Sequence, residues 1–220
     1  LTRVRLPLRP ELAGFEPYGA PQLDVPICLN VNENPYSLPP TVVADIAQQV
    51  AAIASGLNRY PDREFIQLRT ALARYLADEA DIACLPPERL WAGNGSNEVM
   101  LHLFQAFGGP GRTALTCAPS YSMYPEYARN TNTAWATVAR TPAPDFDIDF
   151  GATIDALAAH RPALLVIASP NNPTGTATSN DQIRALAAAT RGTGPDGADT
   201  VLVVDEAYGE FRRSGTPSAL

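Results

Sequence analysis

The chain reads as a three-layer α/β/α domain on a mostly parallel sheet, preceded by an N-terminal arm. Three observations predict this. From about Leu90, short apolar runs alternate with stretches of helical periodicity, as repeated strand–helix–strand units require. One run, Ala163–Ala168, is apolar throughout, as expected of a strand covered on both faces. Polar, turn-forming residues follow the runs, at Pro119-Ser120-Tyr121, Pro170-Asn171-Asn172 and Asp205-Glu206.

Residues 1–38 are rich in proline, lack periodicity and are read as an extended arm; 39–220 form the domain. Pro39-Pro40 opens a helix in which Val43, Ile46, Ala47, Val50, Ile53 and Ala54 recur at helical spacing, and Gly56 ends it. After the loop Arg59-Tyr60-Pro61-Asp62, a second helix is expected to turn Phe65, Leu68, Leu72, Tyr75 and Leu76 to one side. Leu90-Trp91-Ala92 is read as a short strand, leading through Gly93-Asn94-Gly95-Ser96-Asn97 into a helix with Met100, Leu103, Phe104 and Phe107. Strands are expected at Thr113–Cys117, Ala134–Val138, Ala163–Ala168 and Thr200–Val204, the last two buried. Helices fill Ile154–His160 and the stretch to Thr190, where Ser179 and Gln182 form a capping box.

Composition excludes several classes of function. A 220-residue chain buries about 70% of its unfolded surface, so it folds without disulfides or a structural metal. A formal charge of −7 lacks the basic footprint of a nucleic-acid binder. All 16 basic residues are Arg. Without Lys there is no phosphate-binding loop of the Gly-Lys-Ser/Thr type, and no lysine Schiff base within these residues. Cys28, Cys84 and Cys117 are widely spaced, and His102 and His160 are isolated, so no metal site is expected. A reduced, cytoplasmic setting fits the cysteines. The N-terminus carries no apolar signal segment, and no apolar run reaches bilayer length. The absent initiator Met and the abrupt end at Ala219-Leu220 suggest a fragment.

In open α/β sheets ligands bind beyond the carboxyl ends of the strands. The rule gathers Ser96, Asn97, Ser120, Tyr121, Asn171, Asn172 and Asp205 into one crevice. The Gly93–Asn97 loop suits a phosphate at a helix N-terminus, or is a plain tight turn. Its spacing is not the dinucleotide fingerprint, since Glu98 stands where the third Gly belongs. Asp205 ends an apolar strand, where a carboxylate needs a partner; a cationic ring nitrogen, an arginine or a helix cap would each serve. Asn172, before Pro173, offers an amide to a ligand or completes a turn. Tyr121 and Tyr60 are open between ligand contact and packing.

Together these segments resemble the fold-type I pyridoxal-phosphate aminotransferases. The resemblance rests on Arg59-Tyr60-Pro61-Asp62, Gly95-Ser96-Asn97-Glu98, Pro119-Ser120-Tyr121-Ser122-Met123-Tyr124, Ser169-Pro170-Asn171-Asn172-Pro173-Thr174-Gly175 and Val204-Asp205-Glu206-Ala207-Tyr208. The early Asn32-Glu33-Asn34-Pro35 and Pro17-Tyr18 elements are similar to the histidinol-phosphate branch. The resemblance implies pyridoxal 5'-phosphate as cofactor and the large domain of that fold over 39–220. Gly95, Ser96 and Asn97 would hold the cofactor phosphate, and Tyr60 would reach that of the other subunit of a homodimer. Tyr121 would stack on the ring, Asn172 and Tyr208 would bond its hydroxyl oxygen, and Asp205 would pair with its nitrogen. Tyr18 and Asn32 would lie near substrate.

The implied reaction is amino transfer between histidinol phosphate and 2-oxoglutarate, in histidine biosynthesis. An aromatic amino-acid aminotransferase, or a non-catalytic cofactor-binding or dimerisation fragment, is the alternative. The family's Schiff-base lysine is expected downstream of Leu220, together with its substrate-gripping arginines and the small C-terminal domain. No catalytic residue is therefore assigned within these 220.

Overall fold

The computed structural model describes residues 7–14, 19, 21–28 and 30–220. The chain divides into two compact units, Leu1–Arg63 and Glu64–Leu220. The first holds a 3-10 turn at Pro10–Leu12 and helix α1 (Pro40–Ile53). Pro40 occupies the first helical turn, where its missing N–H costs nothing. The apolar spacing expected of α1 is present, yet the helix buries none of its residues.

The second unit begins with α2 (Ile66–Ala80). Its inward stripe differs from the expected one. Arg69, Leu72, Ala73, Leu76 and Ala77 are buried or half-buried, whereas Leu68 and Tyr75 are exposed. These five stand at i, i+3, i+4, i+7 and i+8, so the helical period is kept but its face is turned. Arg69 is accommodated there because its Nε donates to the Pro87 carbonyl at 2.8 Å.

Alternating elements follow: α3 (Gly95–Phe107), β1 (Thr113–Ala118), α4 (Tyr124–Asn130), β2 (Ala134–Ala139), α5 (Phe150–His160), β3 (Leu164–Ala168), α6 (Asn180–Ala189) and β4 (Val201–Asp205). The strands are parallel in the order β2-β1-β3-β4. Side chains of β3 alternate between two cores. Leu164, Val166 and Ala168 join Met100 and Phe104 of α3 and Tyr124, Tyr127 and Ala128 of α4. Leu165 and Ile167 join Leu157 of α5 and Leu186 of α6. This is the three-layer arrangement the sequence predicts. The capping box forms at α6, where Ser179 accepts from the Gln182 N–H and Gln182 Oε1 accepts from the Ser179 N–H at 2.9 Å.

Two expectations fail. Leu90-Trp91-Ala92 joins no ladder; Trp91 is exposed and meets the edge of Phe65, ring centroids 5.1 Å apart. Three apolar residues directly after the Pro87–Arg89 turn are too few to commit to a sheet. β4 is half-buried at every position instead of buried, because among the described strands it pairs with β3 alone. No helix among the described residues is long and apolar enough to cross a membrane.

Leu165 is fully buried in the middle strand pair. Leu165→Ala is expected to lower the unfolding free energy by about 2–5 kcal/mol through lost transfer energy and a residual cavity, read as a reduced midpoint in urea denaturation.

Candidate functional site

The chain passes from β1 to β2 on one side and then to β3 on the other side of β1. Loops leaving β1 and β3 therefore diverge, and a crevice opens between them at the carboxyl ends of the strands. A cleft of about 390 Å³, including its solvent-open mouth, lies there. Ser96, Tyr121, Tyr124, Asn172, Asp205 and Tyr208 are among its lining residues. Of the residues expected in the crevice, Ser96, Tyr121, Asn172 and Asp205 line it, whereas Asn97, Ser120 and Asn171 are not among its lining residues.

One end of the site is the N-terminus of α3. Gly95 has φ +77°, a conformation that favours glycine, and begins the helix. Asn94 supplies no side-chain cap, and the Gly95 N–H already donates to the Gly93 carbonyl at 2.9 Å, so the donor capacity at this helix start lies with the amides that follow Gly95. Asn97 Oδ1 accepts from the Tyr127 hydroxyl at 2.6 Å and from the Tyr121 hydroxyl at 3.5 Å. These phenols turn the amide oxygen of Asn97 toward α4. Glu98 reaches back to the backbone N–H and the side-chain amide of Asn94, placing one negative charge beside this terminus.

The other end is Asp205, half-buried, the last residue of β4. Its Oδ1 accepts from the Ala207 N–H at 3.0 Å and its Oδ2 from the Tyr124 hydroxyl at 2.8 Å. Among the described residues no arginine bonds this carboxylate; it is the acidic neighbour, Glu206, that pairs with Arg212 at 3.3 Å. Between the two ends, Asn172 Nδ2 donates to the Tyr208 hydroxyl at 3.4 Å. Tyr121 stands edge-on to Tyr124 with centroids 5.5 Å apart.

Tyr124 is the cleft-lining side chain that the sequence left without a role. Fully buried, it packs in the α4 core yet reaches the site with its hydroxyl. Burial above all, then the Asp205 charge and hydrogen bond, push its phenol well above the usual tyrosine range. The signal in the sequence is weak: an aromatic residue three positions after Tyr121, on what reads as an apolar helical turn. Asn32 and Tyr60 belong to the first unit, and both are exposed. Tyr18 lies outside the described residues.

The geometry suits a ligand with an anionic group for the α3 terminus, a flat body and a cationic donor for Asp205. Comparison with known proteins narrows this. Residues 25–219 match the family model of the aminotransferases of class I and II. The chain belongs to that aminotransferase family. It is 56% identical over 219 residues to the histidinol-phosphate aminotransferase of Bifidobacterium adolescentis, covering 98% of this chain and 55% of the relative. It is 53% identical over 215 residues to that of Thermobifida fusca, covering 98% and 54%. The chain thus spans about half the length of the curated relatives it matches. Among solved structures, the histidinol-phosphate aminotransferase of Sinorhizobium meliloti in complex with pyridoxal-5'-phosphate superposes with a TM-score of 0.70 at 23% identity. That match covers 86% of this chain and 46% of the other, and shows a shared fold. A Thermus thermophilus aspartate aminotransferase mutant gives a TM-score of 0.66 at 27% identity, covering 79% and 45%.

In this aminotransferase chain the raised phenol of Tyr124 makes stability depend on pH. The native state holds that proton more tightly than the unfolded chain, whose tyrosines ionise near pH 10. The contribution is complete below about pH 10 and is lost as pH rises above it. Buried Cys117, also pushed up by burial, acts in the same direction. Urea titrations from pH 8 upward are expected to show stability falling in the alkaline range, and falling less steeply in Tyr124→Phe.

Proposed function

We propose that this chain forms the cofactor-binding part of a pyridoxal-phosphate-dependent aminotransferase. The reaction we assign to the protein is amino transfer between histidinol phosphate and 2-oxoglutarate. The observation that carries the cofactor reading is the Asp205 carboxylate, oriented by Tyr124 and the Ala207 N–H and turned into the same cleft as the α3 N-terminus. Family membership supports the activity class. Relatives named histidinol-phosphate aminotransferase, at 56% and 53% identity, support the substrate.

The donor set fits the group. The first-turn amides of α3, with Gly95, Ser96 and Asn97, would hold its phosphate, where backbone donors and the helix dipole favour an anion. Tyr121 would cover the ring face. Asn172 and Tyr208, already in hydrogen-bonding contact, would offer donors to the ring oxygen. Asp205 would pair with the ring nitrogen and hold a proton on it. When bound, the cofactor supplies an electron sink for the carbanion at the substrate Cα.

The chain's part in this chemistry is orientation and electrostatics. Tyr124 holds one Asp205 oxygen and the Ala207 N–H the other, so the carboxylate has little freedom to rotate away from a cation. A carboxylate facing the ring nitrogen would favour the protonated form of that nitrogen. The 220 residues contain no lysine. The amine that captures the cofactor covalently is therefore assigned outside them. Tyr60, in the first unit, is proposed to contact the cofactor phosphate of a second subunit, and Asn32 and Tyr18 to lie toward substrate. The protein is accordingly read as a cytoplasmic homodimer.

The cofactor reading is tested by titrating the chain with pyridoxal 5'-phosphate and following absorbance and fluorescence. Asp205→Ala is expected to weaken binding by roughly ten- to a hundredfold, the worth of a hydrogen bond to a charged group. Unchanged affinity would remove Asp205 from its proposed role. The substrate reading is tested in an amino-transfer assay, in which histidinol phosphate should outperform phenylalanine as amino donor. The reverse order would favour an aromatic amino-acid aminotransferase.

A further inference from the structure

We propose that Asn171 is a positioning residue, bridging the crevice floor and fixing Tyr121 and Asn172 relative to each other; this deepens the cofactor reading and rests on it. The β1–β3 ladder runs from Ala114↔Leu164 to Thr116↔Val166, although both strands continue beyond it. By contrast, the β1–β2 and β3–β4 ladders run on to Ala118↔Ala139 and Ala168↔Asp205. Backbone pairing thus ends early between the two strands whose loops frame the cleft.

Asn171 spans the gap that remains. The residue is 2% exposed. Its Nδ2 donates across the crevice to the Pro119 carbonyl at 3.1 Å and within its own turn to Thr174 Oγ1 at 2.8 Å. Its Oδ1 accepts from the Ser120 hydroxyl at 3.1 Å. Its backbone closes the turn as well, with its N–H on the Thr176 carbonyl at 2.8 Å and the Gly175 N–H on its carbonyl at 2.7 Å. Gly175, at φ +72°, permits that closure.

An asparagine amide has two donors and one carbonyl acceptor, and this bridge uses all of them. No other side chain of this size supplies two N–H groups and an oxygen together. Pro119 and Ser120 immediately precede Tyr121, and Asn171 immediately precedes Asn172. One buried amide therefore sets the spacing between the proposed ring-stacking face and the proposed donor to the ring oxygen. Asn171 touches neither ring nor substrate; it acts through its neighbours.

The test compares two ligands, pyridoxal 5'-phosphate and its analogue lacking the 3-hydroxyl, on the wild-type chain and on Asn171→Ala. Wild type should prefer the hydroxylated compound, because Asn172 and Tyr208 would offer donors to its oxygen. Asn171→Ala should weaken that compound about five- to tenfold and the analogue less, so that the preference shrinks. Asn171→Asp keeps the shape but turns an anion toward the Pro119 carbonyl, and should behave like the alanine variant. Ser120→Ala, a milder change, should move the preference the same way if either of those variants does not fold. Equal weakening of both ligands, with the preference kept, would mean that Asn171 only stabilises the fold and would overturn the proposal. Wild type binding neither ligand would overturn the cofactor reading, and this inference with it.

Discussion

A carboxylate at the end of an apolar strand must be partnered, and much of the site follows from how Asp205 meets that requirement. β4 delivers Asp205 to the carboxyl edge of the sheet, where burial is partial. Tyr124 and the Ala207 N–H occupy one oxygen each. To reach Asp205, Tyr124 must stand at the start of α4, and α4 is held there by Tyr127 and Ala128 in the core shared with α3 and β3. The same turn of helix binds Asn97 through the Tyr127 hydroxyl. One short helix therefore connects the α3 end of the cleft to its acidic end. The separation of those ends is a property of the packed core, not of mobile loops.

Much of this was legible in the sequence, for identifiable reasons. β3 announced itself because a strand covered on both faces has no use for polar residues. α6 was legible because Ser179 and Gln182 satisfy each other's backbone locally, whatever the tertiary context. Tyr121, Asn172 and Asp205 were legible because a parallel sheet puts every strand's carboxyl end on one edge; Ser96 reaches the cleft from the start of α3 instead. What was illegible depends on packing. On α2, Leu72 and Leu76 turn inward as expected, but Ala73 and Ala77 join them where bulk alone favoured Leu68 and Tyr75. The expected strand at Leu90–Ala92 fails for want of a ladder partner. Tyr124 escaped because one residue serves both core and site, and a tyrosine in an apolar turn reads as core. Asn171 read as half of a polar pair; only the structure shows it facing the β1 loop while Asn172 faces the cleft.

The absence of lysine shapes the proposed division of labour. All 16 Lys or Arg positions carry a guanidinium, suited to ion pairs and not to nucleophilic capture. Arg212 shows the use made of it, pairing with Glu206 at 3.3 Å and lying 3.6 Å from Glu79. On the proposed reading, these 220 residues bind and polarise the cofactor, and the covalent step belongs to another part of the protein.

At the centre of that reading, Asp205 keeps the ring nitrogen of a bound pyridoxal phosphate protonated. The most direct measurement is the ¹⁵N chemical shift of pyridoxal 5'-phosphate labelled at the ring nitrogen and bound to the chain. A pyridinium shift that persists at and above neutral pH is the predicted result. A neutral-pyridine shift in the bound state would contradict the role of Asp205.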